Sequence, residues 1–291
     1  MASICKAAFA ALGVIAMISL VDLRAAEEQS RPQAPATALG VDVDFYTGAI
    51  SRDVWLRMKQ AGQSFAIVQA WGGRSRNEFA AAQLSDARSI AEMKTAAYVL
   101  LNYDDKVCPT YANPKRDAGG KCSGNPVAQA RPGGRWQVEQ GLAALGTELA
   151  NVSFVAVDVE WFLKDPPSPT AAARARRRQT VLDAIAAVRE KKLRPVIYTR
   201  NATRHWADIT GCEMGSDAPA CVELHNTIND PLNRIPLWDV QTGQAELHNF
   251  APHGAWNERK GRQYRLDANV FGLPAGRTMD LNIFDVSVFG D

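Results

Sequence analysis

Along this chain short apolar runs alternate with longer stretches in which apolar residues recur at helical spacing. Residues 40–44 alternate apolar and acidic side chains and predict a short strand. Ser51 then stands as N-cap of a helix carrying Val54, Leu56, Met58 and Ala61, closed by Gly62. Residues 64–70 read as a second, buried strand, 77–93 as an Ala-rich helix and 95–101 as a third strand, which leads into an irregular insert over 102–134. A helix over 135–150, a strand over 152–160, a long helix over 170–191 and a strand over 194–199 follow. Beyond residue 201 no long amphipathic helix is visible. Apolar runs at 235–240, 262–266 and 278–284, joined by polar loops, predict three further strands. Five βα units followed by three strands predict the α/β class, as a single closed TIM-like barrel of (β/α)5β3 type with an incomplete ring of helices.

One predicted strand carries chemistry. Successive strand side chains point to opposite faces, so Phe154, Ala156, Asp158 and Glu160 share one face while Val155, Val157 and Val159 share the other. The valines suit packing under helices. The two acids then fall at the carboxyl end of a buried parallel strand, where α/β folds build their sites. Their backbones lie about 6 to 7 Å apart from the strand rise, a spacing that suits a proton donor beside a charge stabiliser at a glycosidic bond. The competing reading is a pair of salt-bridged structural acids. It is disfavoured because charge held inside a barrel without a function is costly.

The rest of the chain bounds the setting. Its 291 residues, 46% of them hydrophobic, fill one large α/β domain without requiring a second. Residues 1–26 present Lys6, an apolar stretch from Ala7 to Val21 and small residues at Ala25 and Ala26, the order of a secretory signal cleaved near those alanines. The apolar stretch is short for a membrane span, and an uncleaved anchor is the other reading. Residues 27–38, with two prolines, read as a linker, and 39–291 as the barrel domain. Cys5 would leave with the signal. Of the three connectivities open to the remaining four cysteines, Cys108 with Cys122 and Cys212 with Cys221 is expected, each bridge stapling one loop in an oxidising compartment. Neither pair has a zinc-site spacing, so neither metal nor cofactor is expected.

The formal charge is +2, of which Lys6, Arg24 and Asp22 carry +1 away with the signal. A nearly neutral mature chain excludes nucleic acid as the expected partner, and the cluster from Arg174 to Arg178 reads as a solvated helix face. A secreted or periplasmic monomer, free of the membrane after cleavage, is the expectation. His205, His225, His248 and His253 fall in loop-rich segments and are not expected in catalysis. No nucleotide-binding loop, G-x-S-x-G elbow or H-E-x-x-H occurs.

Several segments, in order, resemble the glycoside hydrolase family 25 lysozymes, the Chalaropsis-type muramidases. Gly40-Val41-Asp42-Val43-Asp44-Phe45-Tyr46-Thr47-Gly48 is similar to the opening G-x-D-V-S-x-Y-Q-G, and residues 62–70 to the G-x-x-F-A-I-x-K-A strand. Residues 155–160 resemble the central D-x-E strand, 195–199 the P-x-I-Y-T strand and Pro236-Leu237-Trp238 the P-L-W strand. Gln263-Tyr264 and Met279-Asp280-Leu281-Asn282 resemble the closing Q-Y and V-D-L-N elements. The resemblance spans roughly residues 38–285, and the order and spacing of its segments are more specific than any one of them. It implies a (β/α)5β3 barrel that cleaves the β-1,4 bond between N-acetylmuramic acid and N-acetylglucosamine in peptidoglycan. Asp42 and Asp44 share one strand face and either could enter a pocket. Carried over by position, the resemblance implies Glu160 as general acid, Asp158 as electrostatic partner, and Asp42 and Asp280 in the same pocket. A strand over 278–284, however, would put Asp280 near the strand's beginning, away from the catalytic rim.

Tyr46, Trp71, Tyr98, Trp161, Tyr198 and Trp238 fall at or near strand ends, and together are expected to stack sugar rings. The chain departs from the family where T-E-G usually follows the second strand. Here stand Ala70-Trp71-Gly72-Gly73, so a groove carboxylate is missing and Trp71 is expected to replace it by stacking. The third strand carries Tyr98-Val99-Leu100 in place of Y-H-F, and the inserts over 102–134 and 205–230 are long. These departures leave open a hydrolase of another amino-sugar glycan, or a catalytically silent glycan-binding barrel.

Overall fold

The computed structural model describes residues 36–103, 133–160, 170–200 and 204–290. Eight strands close into a barrel whose neighbours follow chain order: β1 (Thr37–Val43), β2 (Gln63–Gly72), β3 (Lys94–Leu100), β4 (Val152–Asp158), β5 (Arg194–Thr199), β6 (Leu237–Val240), β7 (Gly261–Ala268) and β8 (Met279–Asp285). The strands from β1 to β7 pair in parallel, whereas β8 is antiparallel to both β7 and β1. An antiparallel neighbour needs no helical crossover, and a loop without a helix joins β7 to β8. This is the (β/α)5β3 arrangement expected from the hydrophobic pattern.

The outer layer holds α1 (Arg52–Gln60), α2 (Ala80–Ser89), α3 (Gly134–Ala144) and α4 (Ala171–Glu190), followed after β5 by α5 (His205–Thr210) and α6 (Pro219–Ile228). Thr170 caps α4, its Oγ1 accepting from the Ala173 amide at 3.2 Å. Ser51 occupies the cap position of α1 without a side-chain hydrogen bond. The helix expected over 77–93 is shorter because Asn77 is spent as a buried linchpin: its Nδ2 donates to the Gln69 carbonyl and to Gln83 Oε1, and its Oδ1 accepts from the Phe79 amide. The helix expected over 135–150 breaks at Gly146, which has φ +55° and begins a 3₁₀ turn, Gly146–Asn151. Helices α3 and α4 cross closely at Gly134, where a Cβ would lie 1.8 Å from the Thr180 carbonyl oxygen.

Alternation in β4 sorts the two cores as expected. Val155, Val157 and Val159 pack in the outer layer with Trp55, Met58, Leu84, Val138 and Ile185. Phe154 and Ala156 point inward with Phe65, Ile67, Tyr98, Tyr198 and Trp238. At the end where the strands of the parallel set begin, Phe65, Phe154, Phe284 and Phe289 meet at ring separations of 4.8 to 5.8 Å and plug the barrel. The opposite end is free to hold a site.

Cys212 and Cys221 are bonded to each other and tie the end of α5 to α6. The expected Cys108–Cys122 bridge, the signal and most of the linker lie outside the described residues. Among the described residues no helix is long and apolar enough to cross a membrane.

Candidate active site

At the carboxyl ends of the parallel strands lies a cavity of about 390 Å³, walled by residues from all eight strands. β4 delivers Asp158, which is 3% exposed and whose Oδ1 has no hydrogen-bond partner. Burial, then the neighbouring Glu160 and Asp42 charges, push its carboxyl well above the ordinary range, against the pull of Arg200. Glu160 follows just past the strand. Its direction is held through Val159, whose amide donates to the Tyr198 carbonyl at 2.9 Å and whose carbonyl accepts from Thr199 Oγ1 at 2.9 Å. The Glu160 side chain, 23% exposed at the rim, is raised to about 7, chiefly by burial, with Arg200 opposing and Asp280 adding to the rise.

Asp42 and Asp280 face each other directly across the β1–β8 pair. The resemblance put Asp280 in this pocket, whereas its place in the strand pattern alone pointed to the other end. Because β8 runs antiparallel, its beginning sits beside the end of β1, so Asp280 lines the cavity with Asp42, Asp44, Asp158 and Glu160. Gln263 binds the pair together: its Nε2 donates to Asp42 Oδ2 at 2.9 Å and to Asp280 Oδ2 at 2.8 Å, while its Oε1 accepts from the Tyr198 hydroxyl at 2.9 Å. Asn282 Nδ2 adds a second donor to Asp42 Oδ2 at 2.7 Å, and the Asp267 amide donates to Asp280 Oδ1 at 2.6 Å. Asp42 is nonetheless raised well above the ordinary range, by burial and then by Asp280. Asp280 is raised to about 6, by burial. Asp44 lines the same cavity as a fifth acid. The other four carboxyls, crowded and largely desolvated, cannot all ionise together, so protons stay on some of them near neutrality.

The aromatic residues divide. Tyr98, Tyr198 and Trp238 line the cavity floor, with Trp238 in edge contact with both tyrosines at 4.6 and 6.4 Å and its Nε1 donating to Asn282 Oδ1 at 3.0 Å. Tyr46 stands at the mouth, 82% exposed, edge-on to Phe45, a second exposed aromatic at the mouth that was not singled out from the sequence. Trp161 lies outside the described residues. Trp71 does not reach the cavity. The pairing of β2 with β3 shifts between Gln69 and Trp71, and this bulge sends Ala70 and Trp71 both outward, where strict alternation would have turned Trp71 in. The indole packs edge-on against Trp136 at 5.4 Å and its Nε1 donates to Gln137 Oε1 at 3.3 Å. On this wall the cavity meets Gln69, Gly72 and Ser75 instead.

His205, set aside from sequence, is brought to the site: its Nδ1 lies 4.0 Å from Glu160 Oε2. Burial, with Arg200 adding, lowers its imidazole to about 4. Gln263, Asn282, Arg200 and His205 were missed as site residues. The signal for two of them stood in the closing Q-Y and D-L-N segments. Among the described residues no cluster of His, Cys, Asp or Glu could hold a metal ion.

No family model matches the sequence, and no curated protein matches it. Solved structures do. The bacterial lysozyme from Streptomyces coelicolor superimposes with a TM-score of 0.53 at 18% identity, over 86% of this chain and 93% of that one. The barrel is of the family 25 lysozyme fold. The family 25 lysozyme from Aspergillus fumigatus gives a TM-score of 0.55 at 14% identity over 86% and 94% of the two chains. A muramidase from Acremonium alcalophilum gives 0.54 at 16% over 87% and 100%. At these identities the family 25 likeness is one of fold, and the side chains of this chain must carry the chemistry.

Proposed function

We propose that this chain is an exported glycoside hydrolase of muramidase type, which cleaves the β-1,4 bond between N-acetylmuramic acid and N-acetylglucosamine in peptidoglycan. The observation that carries the reading is Glu160, a rim carboxyl raised to about 7 in a cavity shared with four further acids. A general acid works best with a pKa near the operating pH. Glu160 protonates the glycosidic oxygen as the bond to the sugar breaks, and the positive charge that develops on the sugar is stabilised by its acidic neighbours. Asp158 Oδ1, buried and without a partner, is an acceptor suited to that charge or to the N–H of an acetamido group. Asp42 and Asp280, cross-linked by Gln263, shape the floor beside it.

The fold likeness supports this reading, because the neighbours above are lysozymes and a muramidase. Purified peptidoglycan incubated with the mature protein should yield new muramic-acid reducing ends, identified by mass spectrometry. A second reading keeps the acid chemistry and moves it to another amino-sugar glycan. It is favoured by the wall of Gln69, Gly72 and Ser75, which offers no carboxylate where family 25 usually has one after the second strand. Cleavage of chitin oligomers without release of muramic-acid ends would select it, and glycan binding without cleavage would select a silent barrel.

A further inference from the structure

We propose that His205 is a positioning residue for Glu160: its neutral imidazole accepts, at Nδ1, a hydrogen bond from the O–H of the protonated Glu160 carboxyl, and so holds the acid protonated and aimed. This rests on Glu160 being the general acid. Nδ1 of His205 is buried and has no hydrogen-bond partner, and the Glu160 Oε2 lies 4.0 Å from it. An unpaired buried nitrogen is costly, and a carboxyl rotation of about 1 Å would bring the two atoms into hydrogen-bond range. Hydrogen bonds of this kind are often long in an empty site and tighten when substrate binds.

The backbone that carries the imidazole is anchored. The His205 amide donates to the Arg200 carbonyl at 3.2 Å, and the next residue, Trp206, is fully packed edge-on to Trp256 at 4.9 Å. The charge balance favours the same arrangement. With its pKa lowered to about 4, the imidazole is neutral near pH 7 and keeps a lone pair to offer, although Asp208 on its own helix pulls the other way. Around Glu160, Arg200 favours the carboxylate, while Asp280 on β8 favours the carboxylic acid. Asp158 on β4 and the Tyr103 and Tyr198 hydroxyls also lie within the field of the Glu160 charge. His205 adds an acceptor that only the protonated carboxyl can use. In the proposed step the Glu160 O–H bond breaks as the glycosidic oxygen takes the proton. The carboxylate left behind recovers a proton from the water whose hydroxyl ends on the sugar, and His205 keeps its own proton throughout.

Two measurements test this. In the pH dependence of kcat/KM on peptidoglycan, the alkaline limb of His205→Phe should fall about one unit below that of wild type, with kcat at pH 7 down by about tenfold, since a misaimed acid loses between that and a hundredfold. His205→Asn, whose amide oxygen can stand where Nδ1 stood, should recover to within about threefold of wild type. An unmoved limb in His205→Phe, or a His205→Asn as impaired as His205→Phe, overturns the proposal. Nitrogen NMR of the unmutated protein at pH 6 needs no substrate: Nδ1 should be unprotonated, and its shift should change in Glu160→Ala. An Nδ1–H tautomer, or a shift indifferent to Glu160, overturns it. If the wild type fails to cut peptidoglycan, the substrate reading falls and the spectrum still decides the pairing.

Discussion

Glu160 and Asp158 sit two residues apart on one strand face, yet their surroundings divide the work. Asp158 is enclosed, while Glu160 meets solvent at the rim. Glu160→Gln keeps the shape and removes the proton, so turnover should drop by about 10²- to 10⁴-fold with the fold and glycan binding retained. Activity within threefold of wild type would remove Glu160 from the mechanism. The raised acids also have a stability signature. Glu160 at about 7 and Asp280 at about 6 bind protons more tightly folded than unfolded. Their contribution is therefore fully present below the ordinary carboxylate range and is lost as pH rises through about 6 to 7. Glu160→Gln should accordingly melt above wild type at about pH 8, with the gap closing toward about pH 5. A gap that widens on acidification would contradict the burial of this group. The D-x-E pair was legible in the sequence because alternation is local. His205 was not, because its approach to Glu160 is made by the packing of α5 against α4, which no local pattern encodes.

At the scale of the element, most of the chain was readable, and β5 was placed to the residue. What failed was register inside a strand. The bulge between Gln69 and Trp71 moves one indole from the cavity to the helix layer, and no turn residue announces it. Trp71→Ala should therefore lower stability by about 3 to 5 kcal/mol, as loss of a buried aromatic does, and leave KM unchanged. Denaturation midpoints and saturation kinetics on the one variant test both parts, and a raised KM with an intact midpoint would return Trp71 to the groove. At Gly134 the obstacle to a methyl group is backbone, the Thr180 carbonyl, which no rotamer can clear. Gly134→Ala should cost about 1 to 3 kcal/mol by forcing α3 and α4 apart, read as a lowered denaturation midpoint. The Cys212–Cys221 bridge closes a loop with a sequence separation of nine residues. Chain entropy puts its contribution at about 2.5 to 3 kcal/mol, and the melting temperature under reducing conditions should fall to match.

At the scale of the whole molecule, the alternation of strand and helix was enough to predict a closed (β/α)5β3 barrel, while the direction of the last strand was not readable, so the pattern alone argued against the place of Asp280 that the family resemblance supplied. Hydrophobic pattern reports that a segment is a strand; it is blind to which way the strand runs. The antiparallel seam has a second result. Thr37 pairs with Asp285, so the place where the chain enters the barrel and the place where it leaves are neighbours, on the side of the phenylalanine plug and away from the acids. In topological terms the domain is a ring whose starting point is arbitrary. A short peptide joining residue 290 back to residue 36, with new termini opened at the exposed Gly62, where even an added Cβ would meet nothing, gives a permuted order of the same eight strands. Such a permutant should fold and keep activity within about tenfold, since none of its breaks touches a loop at the cavity. By the same geometry, a partner domain fused next to residue 36 or residue 290 would be carried on the plugged side of the barrel and leave the mouth open.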